Sequence, residues 1–342
     1  MAHRLPAAGL ALAVTSAATF GTSGAFATSL LRAGWTPGAA VTARVGSAAL
    51  VLTVPAVRHL RRTPAMLRGR TGMLAVYGVL AVAGAQLCFF QAVAHLSVGV
   101  ALLLEYLGTL LVVGWLWLRH AQRPRRLTVA GGVLAVAGLV LVLDLAGSHR
   151  LDPVGVLWGL GAAAGLAVYF VLSAAHDDPL PPLVVAWGGL GVGSVVLGLL
   201  GLSGVLPLRA STRNVVLLDH QVSWLIPVAG LSLIAAVIAY VVGIHAARVL
   251  GAKVSSFVGL TEVLFAVLFA WLLLGQVPTP LQAAGGVLVV AGVVLVRLDE
   301  LRSTVAVAQQ SARQGGTSPS RRCAAATAAT GEAPPPARQL SR

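Results

Sequence analysis

The chain has 342 residues, of which 57% are hydrophobic and only 10% charged, with a formal net charge of +14 and a mean hydropathy of +0.89. Soluble domains carry about a quarter of charged residues, so this composition argues against a soluble globular enzyme and for an integral membrane protein. Its basic residues fall in short blocks between apolar stretches with no basic-aromatic face, a distribution that argues against a nucleic-acid partner and fits orientation in a bilayer.

In chain order, ten apolar segments approach the roughly 20 residues that a helix needs to cross the hydrocarbon. They are 7–30, 37–57, 72–94, 97–118, 127–144, 153–173, 183–203, 222–247, 252–274 and 281–297. The first could be mistaken for a secretion signal, but its apolar run reaches Leu31 and further spans follow, so it reads as an uncleaved helix. It carries Thr19, Gly21, Ser23 and Gly24: small polar and bare positions that either line and gate a cavity or let helices pack closely. Span 2 contains Arg44, about two turns from its start. Span 3 offers the amides of Gln86 and Gln91, and span 4 places Tyr106 directly after Glu105. The fifth and tenth spans are short, about 26 Å at 1.5 Å per residue, and are expected nearly upright or flanked by snorkelling side chains. The pairs Gly155–Gly159, Gly161–Gly165 and Gly189–Gly193 predict close helix contacts. Glu262 lies near the middle of span 9. Strand-like alternation is absent, which argues against a membrane β-barrel. The two cysteines, Cys88 and Cys323, make no disulfide framework.

Two further patterns organise the chain. Residues 130–142 (AGGVLAVAGLVLV) and 284–296 (AGGVLVVAGVVLV) differ at only two positions, and each half has a glutamate-bearing helix before this segment. Two copies of five spans must enter the membrane from opposite sides. The expected fold is therefore an all-α polytopic membrane protein of ten transmembrane helices in two inverted five-helix repeats, at 1–146 and 147–298, followed by a disordered cytoplasmic tail at 299–342. Glu262 is the expected counterpart of Glu105. The second pattern is charge. Arg58, Arg61, Arg62, Arg68 and Arg70, then Arg119, Arg123, Arg125 and Arg126, then Arg248 and Lys253 share one side with both termini. Arg32, Arg150, Arg209 and Arg213 occupy the other. The positive-inside rule places both termini in the cytoplasm, with the plasma (inner) membrane as the location.

An ionisable group inside the hydrocarbon costs several kcal/mol unless it is paired, neutralised or facing water. Arg44 and Glu105 enter from the same side to similar depth, so either they pair or they face one polar cavity that takes a substrate. Arg44 can also snorkel outward. Glu262 reads as a proton carrier or a structural partner; Gln86, Gln91 and Tyr106 as cavity groups or packing. His95 and His245 lack the neighbours of a metal site, and no phosphate loop or nucleophile arrangement is recognisable. No enzymatic activity, metal or cofactor is expected. The expected partners are a small-molecule substrate, protons and the lipid bilayer, with a homodimer left open. A membrane scaffold or sensor, or a lipid-linked metabolite flippase, is the competing reading.

With these residues in view, the chain resembles the EamA branch of the drug/metabolite transporter superfamily over about residues 7–297. The late segment EVLFAVLFAWLLLGQ resembles the family's glutamate-proline motif, with Val263 in place of proline and Gln276 in place of a final acid. The first half is similar to the threonine/homoserine exporter group. PGAAVTARVG holds Arg44 at that group's arginine position, and the span 3 to span 4 text ends in the glutamate-aromatic pair Glu105–Tyr106, with Thr109 where proline is common. The resemblance implies efflux of small amino acids or related polar metabolites, coupled to protons, by alternating access.

Overall fold

The computed structural model describes residues 4–67, 69–96, 98–121, 123–143, 152–175, 180–218, 220–275 and 277–315. Helices dominate it because a backbone in hydrocarbon has no water to bond with and must satisfy its own polar groups. Eight helical runs are long and apolar enough to cross a membrane: Ala7–Arg32, Pro37–Arg62, Thr71–His95, Val100–Arg119, Pro153–Ser173, Pro182–Leu202, Leu225–Gly259 and Pro280–Arg302. Two shorter apolar helices, Arg126–Val142 and Thr261–Leu273, stand where the fifth and ninth spans were expected. Between the eighth and ninth spans the helix breaks at Gly251, φ 79° and ψ 163°, a conformation that glycine adopts at little cost, and this break falls in the gap expected between 247 and 252. A second break, at Leu260, divides the expected ninth span into 252–259 and the helix that starts at Thr261.

In detail the helices are α1 (Arg4–Gly21), α2 (Ser23–Arg32), α3 (Pro37–Arg62), α4 (Thr71–Val76), α5 (Ala85–His95), α6 (Val98–Tyr106), α7 (Gly108–His120) and α8 (Arg126–Val142). The remainder are α9 (Pro153–Ser173), α10 (Pro182–Leu202), α11 (Leu225–Ala229), α12 (Ala239–Gly259), α13 (Thr261–Leu274) and α14 (Pro280–Gly315). Two π-helical segments, Tyr77–Gly84 and Gly230–Ile238, join α4 to α5 and α11 to α12.

These elements repeat in register. Thr71 and Leu225, Ala85 and Ala239, and Arg126 and Pro280 are matching helix starts, each pair 154 apart in number. The left-handed caps Ala121 and Gly275 keep the same spacing. Packing follows the repeat: α1 packs on α12 as α9 packs on α5 and α6, and α1 on α13 as α9 on α7. Likewise α3 meets the second π segment as α10 meets the first, while α3 and α10 pack on each other. A Cβ on Gly131 would lie 2.7 Å from the Gly292 carbonyl oxygen, and one on Gly138 2.6 Å from that of Gly285. Gly285 is the equivalent of Gly131 and Gly292 that of Gly138, so each contact maps onto the other, with α8 and residues 280–296 running antiparallel. This is the contact pattern of an inverted repeat.

The connection between α10 and α11 holds a hairpin that the sequence reading lacks. β1 (Val215–Leu217) and β2 (His220–Val222) pair antiparallel, Val215 opposite Val222 and Leu217 opposite His220. Strands of three residues are too short to show alternation. Thr36, the N-cap of α3, ties this connection down: its hydroxyl donates to the Pro207 carbonyl at 2.6 Å and accepts from the Arg209 amide at 3.0 Å. Trp35 Nε1 donates to the Ser211 carbonyl at 2.7 Å.

The chain divides at Arg297 into a compact unit, Met1–Val296, and a second, Arg297–Arg342. The expected tail at 299–342 does not begin where the helix ends. α14 continues to Gly315, through residues rich in Ala, Leu, Arg, Glu and Gln, which favour helix. The expected junction at 146–147, and residues 316–342 with Cys323, lie outside the described residues.

Candidate functional site: a charged cavity inside the bundle

A cavity of about 200 Å³ lies within the first unit, and Arg44, Gln86, Glu105, Tyr106, Glu262 and Ser23 all line it. α3 brings in Arg44, whose Nη2 donates to the Ala235 carbonyl at 2.6 Å. That carbonyl belongs to the second π segment, where the widened turn sets backbone groups apart from the regular ladder. The guanidinium carbon stands 5.7 Å from the centre of the Phe20 ring, within cation–π range. Arg44 Nε is buried and has no hydrogen-bond partner. No ion pair within 4.0 Å joins Arg44 to Glu105 or Glu262 among the described residues, although both carboxylates feel its charge.

The two glutamates sit beside helix interruptions. Glu105 occupies the last turn of α6, and Leu107 separates α6 from α7. Glu262 occupies the first turn of α13, after the break at Leu260, where the helix dipole suits an acid. The Tyr106 side chain lies beside the Glu262 carboxylate, and Glu105 and Glu262 interact electrostatically. The expectation that they are equivalent positions is not met. With the 154-residue spacing of the repeat, Glu105 matches Gly259 and Glu262 matches Gly108. Each acid has a glycine as its counterpart, so the cavity's charge departs from the internal symmetry. Similar neighbouring text, a glutamate followed by apolar residues, concealed that the two lie on opposite sides of the break.

Four sequence candidates fall elsewhere. Gln91 does not line the cavity; at five residues beyond Gln86 it has turned to another helix face. The Thr19 hydroxyl donates to the carbonyls of Thr15 and Ser16, both at 2.9 Å, and so satisfies its own helix. Gly21 marks a close approach, since a Cβ there would lie 2.7 Å from Phe265 Cβ and 3.0 Å from the Glu262 carbonyl oxygen. Gly24 is exposed, with open space where a side chain would be.

The cavity also contains two tyrosines for which the sequence leaves packing and substrate contact both open. Tyr169 and Tyr240 line it, their ring centres 5.6 Å apart, with Phe20 5.2 Å from Tyr240 and Tyr77 6.0 Å from Tyr169. The Ser16 hydroxyl donates to the Ala239 carbonyl at 2.8 Å. The sequence signal was weak: isolated tyrosines in apolar spans read equally well as core. Chemically, the site offers one free guanidinium donor and two acids amid aromatic faces, so it can hold a small solute bearing charges of both signs.

The sequence profile of the EamA-like transporter family matches residues 7–144 and 153–298. Among curated proteins, the uncharacterized transporter YwfM of Bacillus subtilis is 30% identical over 139 residues, covering 40% of this chain and 45% of that protein. The pseudopaline exporter CntI of Pseudomonas aeruginosa is 33% identical over 92 residues, covering 27% of this chain and 32% of that protein. The chain thus spans less than half the length of these curated relatives. A solved crystal structure shares the fold, with a TM-score of 0.67 at 21% identity, over 86% of this chain and 98% of that one.

Proposed function

The chain belongs to the EamA-like transporter family, a family of transporters and not of enzymes, and we propose that it exports small amino acids or related polar metabolites across the plasma membrane. In this reading ten spans form the bundle, the two shorter helices included, and both termini face the cytoplasm as the arginine-rich connections require. Export proceeds by alternating access of the inverted repeats. The observation that carries the proposal is Arg44: a half-buried side chain whose buried Nε has no hydrogen-bond partner, on a cavity that it shares with two acids. A substrate carboxylate would complete Arg44, a substrate ammonium would neutralise Glu105, and Glu262 with its Tyr106 partner would carry the coupling proton. The likeness of the first half to threonine/homoserine exporters supports the same substrate class.

Transport into inverted membrane vesicles, with a panel of amino acids and basic metabolites and with or without a proton gradient, tests this directly. Uptake of a small amino acid that depends on the gradient is expected, and Glu262→Gln protein that inserts normally is expected to lose gradient-driven accumulation more than substrate binding. Full accumulation by the Glu262→Gln variant removes the coupling role, and absence of uptake across the panel removes the substrate class. The match to the pseudopaline exporter carries a second reading, export of pseudopaline or a related solute. A cavity of about 200 Å³ is small beside the roughly 300–1,000 Å³ usual for ligand sites and favours the smaller cargo. Adding pseudopaline to the panel separates the two.

A further inference from the structure

The repeat makes it possible to compare the two ends of the cavity residue by residue. Between residues 71–142 and 225–296 the spacing is 154. For the helices that open each half, packing supplies the match. Gly9 of α1 presses on Val249 and Leu250, while Gly155 of α9 presses on His95 and Leu96, and these two pairs are themselves equivalent. Gly9 therefore corresponds to Gly155, which pairs Ser23 with Tyr169 and Gly24 with Phe170. On the other elements Gln86 pairs with Tyr240, Phe89 with Gly243, and Glu105 with Gly259.

One member of each pair is engaged and the other is not. At one end α9 packs on α12: the Tyr169 and Tyr240 rings meet edge to face at 5.6 Å. The tip of Phe170 there lies 2.9 Å from where a Gly259 Cβ would stand. Arg248 closes that end further by donating to the Leu180 carbonyl at 2.6 Å. At the other end no comparable packing joins α1 or α2 to α5 among the described residues. Ser23, Gln86, Phe89 and Glu105 line the cavity there, as Tyr169, Phe170, Tyr240 and Gly259 do at the closed end, but nothing lies within 4 Å of the space beside Gly24.

We propose that Ser23 and Gly24 with Gln86, Phe89 and Glu105 form a second gate, open in this structure, whose closure seats Glu105 against the bare backbone of Gly24. The knob and the hole are exchanged between the gates. In the closed gate the first helix of the repeat supplies the knob, Phe170, and the fourth supplies the hole, Gly259. In the open gate the fourth helix supplies the knob, Glu105, and the first supplies the hole, Gly24. The difference is that this knob is ionisable. Closing the gate strips water from a carboxylate, which is costly unless a proton or the cation of a bound solute neutralises it. Gate closure is thereby conditional on the charge state of Glu105, and a ligand with different affinity for the two states shifts their populations. Gly24 acts as a positioning residue, receiving the Glu105 side chain without contacting cargo. This rests on the transport reading for its purpose, though not for its measurement.

The charged and titratable groups that interact with Glu105 are Arg44 of α3, Glu262 of α13, the neighbouring Tyr106 and Tyr240 of α12, and Tyr169 of α9 lines the same cavity. The test uses the full chain in lipid vesicles with Cys88→Ala and Cys323→Ala, and a spin-label pair at Ser23→Cys and Phe89→Cys. The distance between the labels is read against pH without any substrate. A short-distance population that grows as pH falls is expected, persisting in Glu262→Gln and becoming pH-independent in Glu105→Gln. Gly24→Leu, which fits the open state because that space is empty, is expected to abolish the short distance and transport together while leaving the α9–α12 end labelled as in the parent. A distance that never shortens in any condition, that shortens independently of pH while Glu105 is intact, or that shortens normally in Gly24→Leu overturns the proposal. A substrate panel that yields nothing leaves this readout intact, so the two readings fail separately.

Discussion

Arg44 concentrates the chemistry of the site in one side chain that is held but not saturated. Its Nη2 is committed to the Ala235 carbonyl, its guanidinium carbon lies 5.7 Å from the centre of the Phe20 ring, and Nε is buried without a hydrogen-bond partner. A lysine has the charge but only a compact ammonium, which cannot hold that carbonyl and present a second donor in a fixed plane. Arg44→Lys is therefore expected to insert and fold, yet to weaken substrate binding by on the order of tenfold to a hundredfold, the equivalent of a charge-assisted hydrogen bond of ~1.5–3 kcal/mol. Concentration dependence of vesicle uptake measures it, and an unchanged half-saturation assigns Arg44 to structure. At this scale the sequence was informative where charge made a residue conspicuous. Arg44, Glu105 and Glu262 are rare ions in apolar text, and all three reach the cavity. Thr19 and Gln91 show the converse: hydroxyls and amides in a membrane helix can be satisfied by local backbone or turned to another face, and periodicity alone does not reveal which way a single polar group points. Tyr169 and Tyr240 were equivocal because an aromatic ring with one hydroxyl suits both core and cavity.

Helix ends carry the next level of organisation. Asp152 caps α9, its Oδ1 accepting from the Val154 amide at 2.9 Å, while its Oδ2 contacts His95 Nδ1, at the end of α5, at 2.8 Å. The Val154 amide first, and His95 after it, hold the Asp152 carboxyl below its ordinary value of 3.8. A depressed folded-state value means that the contribution to stability is present above the ordinary carboxylate range and is lost as pH falls through the folded value. Asp152→Asn, which keeps a capping oxygen but no charge, is expected to melt at a lower temperature than the parent at pH 7, with the difference shrinking as the medium approaches pH 3. Asp152→Ala loses the cap as well and is expected to melt lower still. A difference between Asn and Asp that is constant across this range removes the electrostatic account. Element boundaries were the least legible feature of the sequence. The breaks after Tyr106 and before Thr261, and the two π segments, fall inside apolar text in which no Pro or hydropathy change marks them. Gly251 is the exception, a glycine whose backbone conformation coincides with a boundary that hydropathy had already marked.

The whole molecule is governed by its internal two-fold relation, and here the sequence was both helpful and misleading. The matching segments at 130–142 and 284–296 revealed the duplication because α8 and α14 keep it visible: Gly131, Gly138, Gly285 and Gly292 touch across the relation, and a Cβ on any of these four would collide with backbone of the other helix. The same logic failed for the glutamates, whose functional likeness hid a difference in position, because selection for a polar cavity does not require equivalent sites to carry equivalent residues. The α8–α14 contact gives a quantitative check of the symmetry. Gly131 and Gly292 share one contact, and Gly138 and Gly285 share the other. Each single Gly→Ala change inserts a methyl group into a site with no room and is expected to cost about 1–3 kcal/mol by overpacking. Once Gly131→Ala has pushed the helices apart at the first contact, Gly292→Ala meets a gap already opened, so the pair is expected to cost less than the sum of its parts. Gly131→Ala with Gly138→Ala loads two separate contacts and is expected to be closer to additive, as sites without a shared partner generally are. Unfolding of the four single variants and three double variants, Gly131–Gly292, Gly138–Gly285 and Gly131–Gly138, in one lipid or detergent system yields the three coupling energies. Equal coupling in all three cycles contradicts the reciprocal contact, whereas strong coupling only within Gly131–Gly292, repeated at Gly138–Gly285, is what two inverted copies crossing at a shared axis require.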